Sequence, residues 1–70
     1  MDRHEVVSSN VAEVGYDAET QTLEVMFHGG TIYQYFDMPE TVYQELINAP
    51  SAGRFLAQRI KGVFRCEKVE

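Results

Sequence analysis

The sequence predicts an α+β domain: a three-stranded antiparallel β-meander followed by a helical hairpin, with room for a short fourth strand at the C-terminus. Two observations carry this. Apolar residues before Asp37 alternate with a period of two, whereas those after Pro39 recur three or four apart, the spacings of strand and helix. Phe27 to Leu46 passes from one period to the other, so sheet and helices must meet there.

Residues 1 to 8 show no period and read as a flexible N-terminal arm, leaving 9 to 70 as a single domain. Val11, Ala12, Val14 and Tyr16 suggest a first strand, with Ala12, Val14 and Tyr16 sharing a face. Gly15 inside it marks a bulge or a close backbone approach. After a polar turn, Leu23, Val25 and Phe27 alternate with Glu24, Met26 and His28 as the second strand. Gly29 and Gly30 reverse the chain into a third, Thr31 to Phe36.

The register of that hairpin has two solutions. A two-residue turn puts Tyr33 and Tyr35 on the Glu24 and Met26 face. One extra residue in a glycine bulge puts them with Leu23, Val25 and Phe27. The second is favoured, because the first buries Gln34.

Met38 precedes a proline and is the turning point into a helix that starts at Pro39. Val42, Leu46 and Ala49, with Tyr43 and Ile47 alongside, form its apolar stripe. Pro50 ends it, and Ser51 caps a second helix from Ala52 to Ile60 or Lys61. The apolar face of that helix is Ala52, Phe55, Leu56, Ile60 and then Val63. Gly53 in its first turn implies a neighbour that forbids a side chain, since glycine costs about 1 kcal/mol there relative to alanine. Gly62 stops the helix. Val63 to Val69 allow the fourth strand.

Seventy residues bury only roughly 60% of the unfolded surface and support a stability on the order of 4 to 10 kcal/mol. A deep active-site cavity is not expected in so thin a core. No apolar run reaches the length of a membrane span, the N-terminus lacks a signal-peptide pattern, and a single cysteine, Cys66, suits a cytoplasmic protein. The net charge of −5 is unevenly placed. Residues 1 to 53 set Arg3 against nine acids, a balance of −8. Residues 54 to 70 set Arg54, Arg59, Lys61, Arg65 and Lys68 against Glu67 and Glu70, a balance of +3.

The ordered set Ser8-Ser9-Asn10, Gly15-Tyr16-Asp17, Leu23-x-Val25-x-Phe27, Gly30, Tyr33-x-Tyr35, Met38-Pro39, Val42-Tyr43, Ala49-x-Ser51-x-Gly53 and Ile60 resembles the KTSC family. That family takes its name from the C-terminal domain of some lysyl-tRNA synthetases and includes small stand-alone bacterial proteins. The resemblance spans Ser8 to Phe64, with Met38-Pro39 replacing the commoner valine-proline. It implies no defined chemistry, but the synthetase fusion suggests RNA binding, and the central tyrosine pair matches Tyr33-Gln34-Tyr35.

Tyr33 and Tyr35 share a strand face and are candidates for stacking two bases, although packing is the commoner role of strand aromatics. Arg54, Arg59, Lys61 and Arg65, with Lys68, are candidates for phosphate contact, weighed against an ordinary solvated face. Ser51, Ala52 and Gly53 leave backbone N–H groups open to an anion, but capping is the simpler role. His4, His28 and Cys66 do not have the number or spacing of a metal site, and no cofactor is implied. Cys66 reads as a buried or semi-buried structural thiol and His28 as an exposed hairpin residue. The expected function is therefore non-enzymatic: a weak RNA-binding module, or alternatively a protein-interaction or homodimerisation module.

Overall fold

The strand with the clearest alternation lies at the centre of the sheet. The computed structural model describes residues 3–6 and 8–69. In it, β1 (Arg3–Glu5), β2 (Val11–Asp17), β3 (Thr22–Phe27), β4 (Ile32–Tyr35) and β5 (Cys66–Lys68) form one antiparallel sheet in sequential order. Two helices lie between β4 and β5 in the chain, α1 (Glu40–Asn48) and α2 (Ala52–Phe55), and α2 continues as a π-helical turn over Leu56–Ile60. The α+β class and helical hairpin hold, but the sheet has five strands rather than three or four.

The additional strand comes from the expected arm. Arg3, His4 and Glu5 pair with Gly15, Val14 and Glu13, whereas Met1, Asp2 and Val7 of that arm lie outside the described residues. This strand has no apolar period because its contacts are ionic. Arg3, Gly15 and Glu24 form one row across three strands. The Arg3 guanidinium lies 3.5 Å from both Glu13 and Glu24. Gly15, without a side chain, leaves the way clear for Arg3 to reach Glu24, which is the close approach its presence in a strand implied. The bulge in β2 lies instead between Val11 and Glu13. It takes Ala12 out of the period, so Val11 joins Val14 in the core while Ala12 is only half-buried.

The β3–β4 hairpin adopts the bulged register. Leu23 pairs with Tyr35, Val25 with Tyr33 and Met26 with Ile32. The turn is closed by Gly30 N–H to Phe27 O at 2.8 Å and Phe27 N–H to Thr31 O at 2.9 Å, with Gly30 at φ +93. A turn followed by one left-handed residue is the usual three-residue hairpin with a glycine bulge. On the far face Gln34 donates to Glu24 at 3.0 Å, so its amide is satisfied outside the core.

The strand-to-helix junction is tied down at Met38, which is fully buried. Its N–H donates to Gln21 O at 2.9 Å, and its carbonyl accepts from the Tyr16 hydroxyl. The Tyr16 ring stacks on Tyr43 of α1 at 4.9 Å between centroids. Asp37 makes the corner at φ +57. Pro39 is the N-cap, with ψ 145, one residue before the helical start expected of it. The core joins Val11, Val14, Leu23, Val25 and Tyr35 of the sheet to Met38, Tyr43, Leu46, Ala52, Leu56 and Ile60. Val42 and Ala49 are half-buried, but Ile47 and Val63, expected in the apolar stripes, are exposed at 39% and 68%. Val63 follows the end of the helical segment at Ile60, and Ile47 lies in the last turn of α1 beside the buried Leu46.

The register rests on Gly30 and not on its neighbour, because Gly29 does not occupy the left-handed region. Gly30→Ala should lose about 1–2 kcal/mol, the cost of a left-handed alanine, while Gly29→Ala should stay within about 0.5 kcal/mol. Equal losses in chemical denaturation would show that the left-handed turn does not set the pairing.

Candidate functional site

The inner face of the sheet carries two rows whose ends escape the helices. One runs Val14, Val25, Tyr33, Lys68 and the other Tyr16, Leu23, Tyr35, Cys66. Val14, Val25 and Leu23 are sealed in the core, while Tyr16 is half-buried. Toward β5 the cover is incomplete, and a cavity of about 170 Å3 opens there, lined by Asn10, Phe27, Tyr33, Tyr35, Gly53, Leu56, Ala57, Lys61 and Cys66.

Two local features shape its walls. Ser51 caps α2 by accepting from Arg54 N–H at 3.2 Å. Gly53 then sits against the Ser8–Asn10 loop: a Cβ there would stand 2.7 Å from Ser8 Oγ and closer still to Asn10 Oδ1. The same loop is internally bonded, with the Ser8 hydroxyl donating to Asn10 Oδ1 at 3.0 Å and accepting from Val11 N–H at 3.3 Å. His28 fastens it to the hairpin through its backbone N–H to Asn10 O and its ring nitrogen to Ser8 O, at 2.9 and 3.0 Å. At the other end, Lys61 N–H donates to Leu56 O at 2.7 Å, five residues back. This π turn brings both Ala57 and Lys61 onto the cavity, and nothing in the residue types marked it in advance.

The tyrosine pair is split in role. Tyr35 is 3% exposed, so its ring faces are closed to a stacking base and it belongs to the core. A two-base platform does not form, because the second helix lies over that end of β4. Tyr33 is half-buried and meets Phe27 edge-on at 6.0 Å. Burial raises the Tyr35 hydroxyl pKa above its ordinary value, with Cys66 and then Tyr33 adding to the rise. Burial raises Tyr43 too.

The basic residues also divide. Lys61 lines the cavity, and Lys68 lies across the ladder from Tyr33. Arg59 reaches Glu45 at 3.4 Å and sits over the Phe55 ring. Arg65 sits over Phe36, whose place after Tyr35 puts it on the opposite face of the sheet. Arg54 lies with Phe55 and Gln58 beside a separate shallow depression. Cys66, expected to be buried or semi-buried, is exposed and forms part of the cavity wall. Among the described residues no group of His, Cys, Asp and Glu is arranged to hold a metal, and no helix is long and apolar enough to cross a membrane.

Residues 7–64 match the model of the KTSC domain. A lysine–tRNA ligase of Trichormus variabilis is 44% identical over 61 residues, covering 87% of this chain but 11% of the ligase. The chain thus spans about a tenth of the ligases it matches. An uncharacterised protein of Stutzerimonas stutzeri is 43% identical over 61 residues and is covered for 86% of its length. The crystal structure of a KTSC domain protein from Yersinia pestis superposes with a TM-score of 0.94 at 39% identity, covering 99% of this chain and 97% of that one.

The buried hydroxyls make stability depend on alkaline pH. The folded state favours the neutral phenols of Tyr35 and Tyr43, so their contribution is intact below the ordinary value of 10.0 and is lost as pH climbs through the raised folded values. The melting temperature should fall above that point, and Tyr43→Phe should lessen the fall. A melting temperature that rises in step with tyrosinate absorbance would reverse the sign.

Gly53→Ala sets opposed effects against each other. It gains about 1 kcal/mol of helix propensity and displaces Ser8 and Asn10, whose hydrogen bonds contribute about 0.5–1.5 kcal/mol each. Net stability should fall by about 0–2 kcal/mol, while the amide resonances of Ser8 to Asn10 and His28 shift. Unmoved resonances would mean that the loop does not rest on Gly53.

Proposed function

This chain belongs to the KTSC domain family, and from that footing we propose that it is a binding module for single-stranded RNA. The observation that carries the reading is that Tyr33 and Lys61 line one cavity, with Lys68 across the ladder from Tyr33. Single strands are bound by an aromatic ring that takes a base and cations that take the backbone; the cavity offers one ring and one cation, and the neighbouring edge strand adds a second cation. The kinship with a segment of lysine–tRNA ligases supports the same ligand class. Affinity is modest, because two cations release few counterions and the outer sheet face carries Glu13, Glu24 and Glu67.

Association through the sheet edges is the less favoured reading. Both edge strands, β1 and β5, are three residues long and charged, features that discourage strand addition.

Titration of fluorescent oligouridylate at low and moderate salt tests the proposal. Each lysine that contacts a phosphate contributes about 0.7 to the slope of log affinity against log salt, so Lys61→Gln with Lys68→Gln should flatten it by roughly 1.4. Arg59→Gln and Arg65→Gln, whose cations rest on protein rings, should change it little. No binding by the wild-type chain at low salt, or a slope indifferent to both lysines, would sink the reading.

A further inference from the structure

The cavity between β4 and α2 has room for one flat ring. At about 170 Å3 it is close to the roughly 150 Å3 of an apolar cavity that admits one benzene ring. One six-membered ring fits within it. Its walls are apolar where ring faces would lie, from Phe27, Tyr33, Leu56 and Ala57. Beside Lys61 and Cys66, two further polar groups belong to that lining. Asn10 has its Oδ1 occupied by the Ser8 hydroxyl, which leaves the amide nitrogen to donate. Tyr35 is almost wholly buried, yet its hydroxyl is bonded to no described residue and is not sealed in the core, so it meets the cavity.

We infer that this cavity is a pocket for a single pyrimidine base extruded from the strand. The ring lies between Tyr33 and Leu56, its carbonyls and ring nitrogen face the Asn10 amide and the Tyr35 hydroxyl, and Lys61 and Lys68 stand where the sugar and phosphate leave. This assignment rests on the RNA reading and sharpens it, turning the tyrosine pair from a stacking platform into a wall and a hydrogen-bonding floor. Preference for the smaller base follows from its closer match to the cavity volume, and recognition of a base edge follows from two polar groups that lose their partner when an apolar ring enters.

Uridine 5′-monophosphate and adenosine 5′-monophosphate, titrated separately into the full chain and followed by amide chemical shifts, provide the test. The uridine nucleotide should shift Asn10, Tyr33, Tyr35 and Lys61 and bind about tenfold or more tighter than the adenosine nucleotide, the discrimination expected when an undersized pocket rejects extra atoms. Tyr35→Phe keeps the ring and should weaken uridine nucleotide binding about three- to tenfold, the loss of one hydrogen bond. Ala57→Leu fills the pocket from an exposed position and should abolish the shifts with the melting temperature unchanged. Equal binding of both nucleotides, or uridine shifts that survive Ala57→Leu, would overturn the pocket. Oligouridylate binding that persists while these residues stay unperturbed would overturn the pocket and leave the RNA reading standing. Uridine nucleotide binding without oligouridylate binding would uphold the pocket and remove the RNA reading.

Discussion

In a sheet covered on one side, the parity of each hairpin decides which side chains are structural. The β3–β4 turn takes one residue more than the tightest hairpin, and Gly30 accepts the left-handed angle this requires. Everything on the inner face follows. Tyr33 and Tyr35 fall in line with Val25 and Leu23, Gln34 turns outward to Glu24, and the helices meet an apolar surface without a stranded amide. The opposite parity would set Gln34 among Leu23, Val25 and Phe27 beneath the helices and turn Tyr33 and Tyr35 to the other face.

The loop that carries Ser8 and Asn10 shows how a site can be assembled from residues far apart in sequence. It is held from three directions: by its own hydroxyl, by His28 from the hairpin and by the bare α-carbon of Gly53. Each hold is weak alone, at about 1 kcal/mol for a hydrogen bond. Together they fix one polar side chain at the edge of an otherwise apolar cavity. The absence of a side chain at Gly53 is thus a positive feature of the surface, a socket for a neighbour.

Much of this was legible in the chain and some was not, for identifiable reasons. Alternation in β3, the Ser51 cap, the stop at Gly62 and the crowding at Gly53 all follow from local physics that tertiary packing did not override. β1 escaped because Arg3, His4 and Glu5 carry no apolar period, and their pairing is paid for by charges on β2 and β3. The two tyrosines were rightly placed on one face, but the difference between them depends on how far α2 extends over β4. Charge counting grouped the C-terminal cations together. Their separation came from aromatic rings and an acid that capture Arg59 and Arg65, contacts that sequence spacing does not encode. Cys66 followed its strand to the sheet edge and so to the surface.

The π turn from Leu56 to Ile60 makes chain length itself a determinant of this surface. An α-helix advances about 100° per residue, and the wider turn absorbs one extra residue before the chain leaves at Gly62. A relative with one residue fewer in this interval can close the turn as regular helix and still bury its leucine and isoleucine. Its lysine would then swing away from the cavity. Gaps at this point in comparisons of related chains therefore separate domains that share a core from domains that share a mouth, a distinction that percentage identity alone conceals.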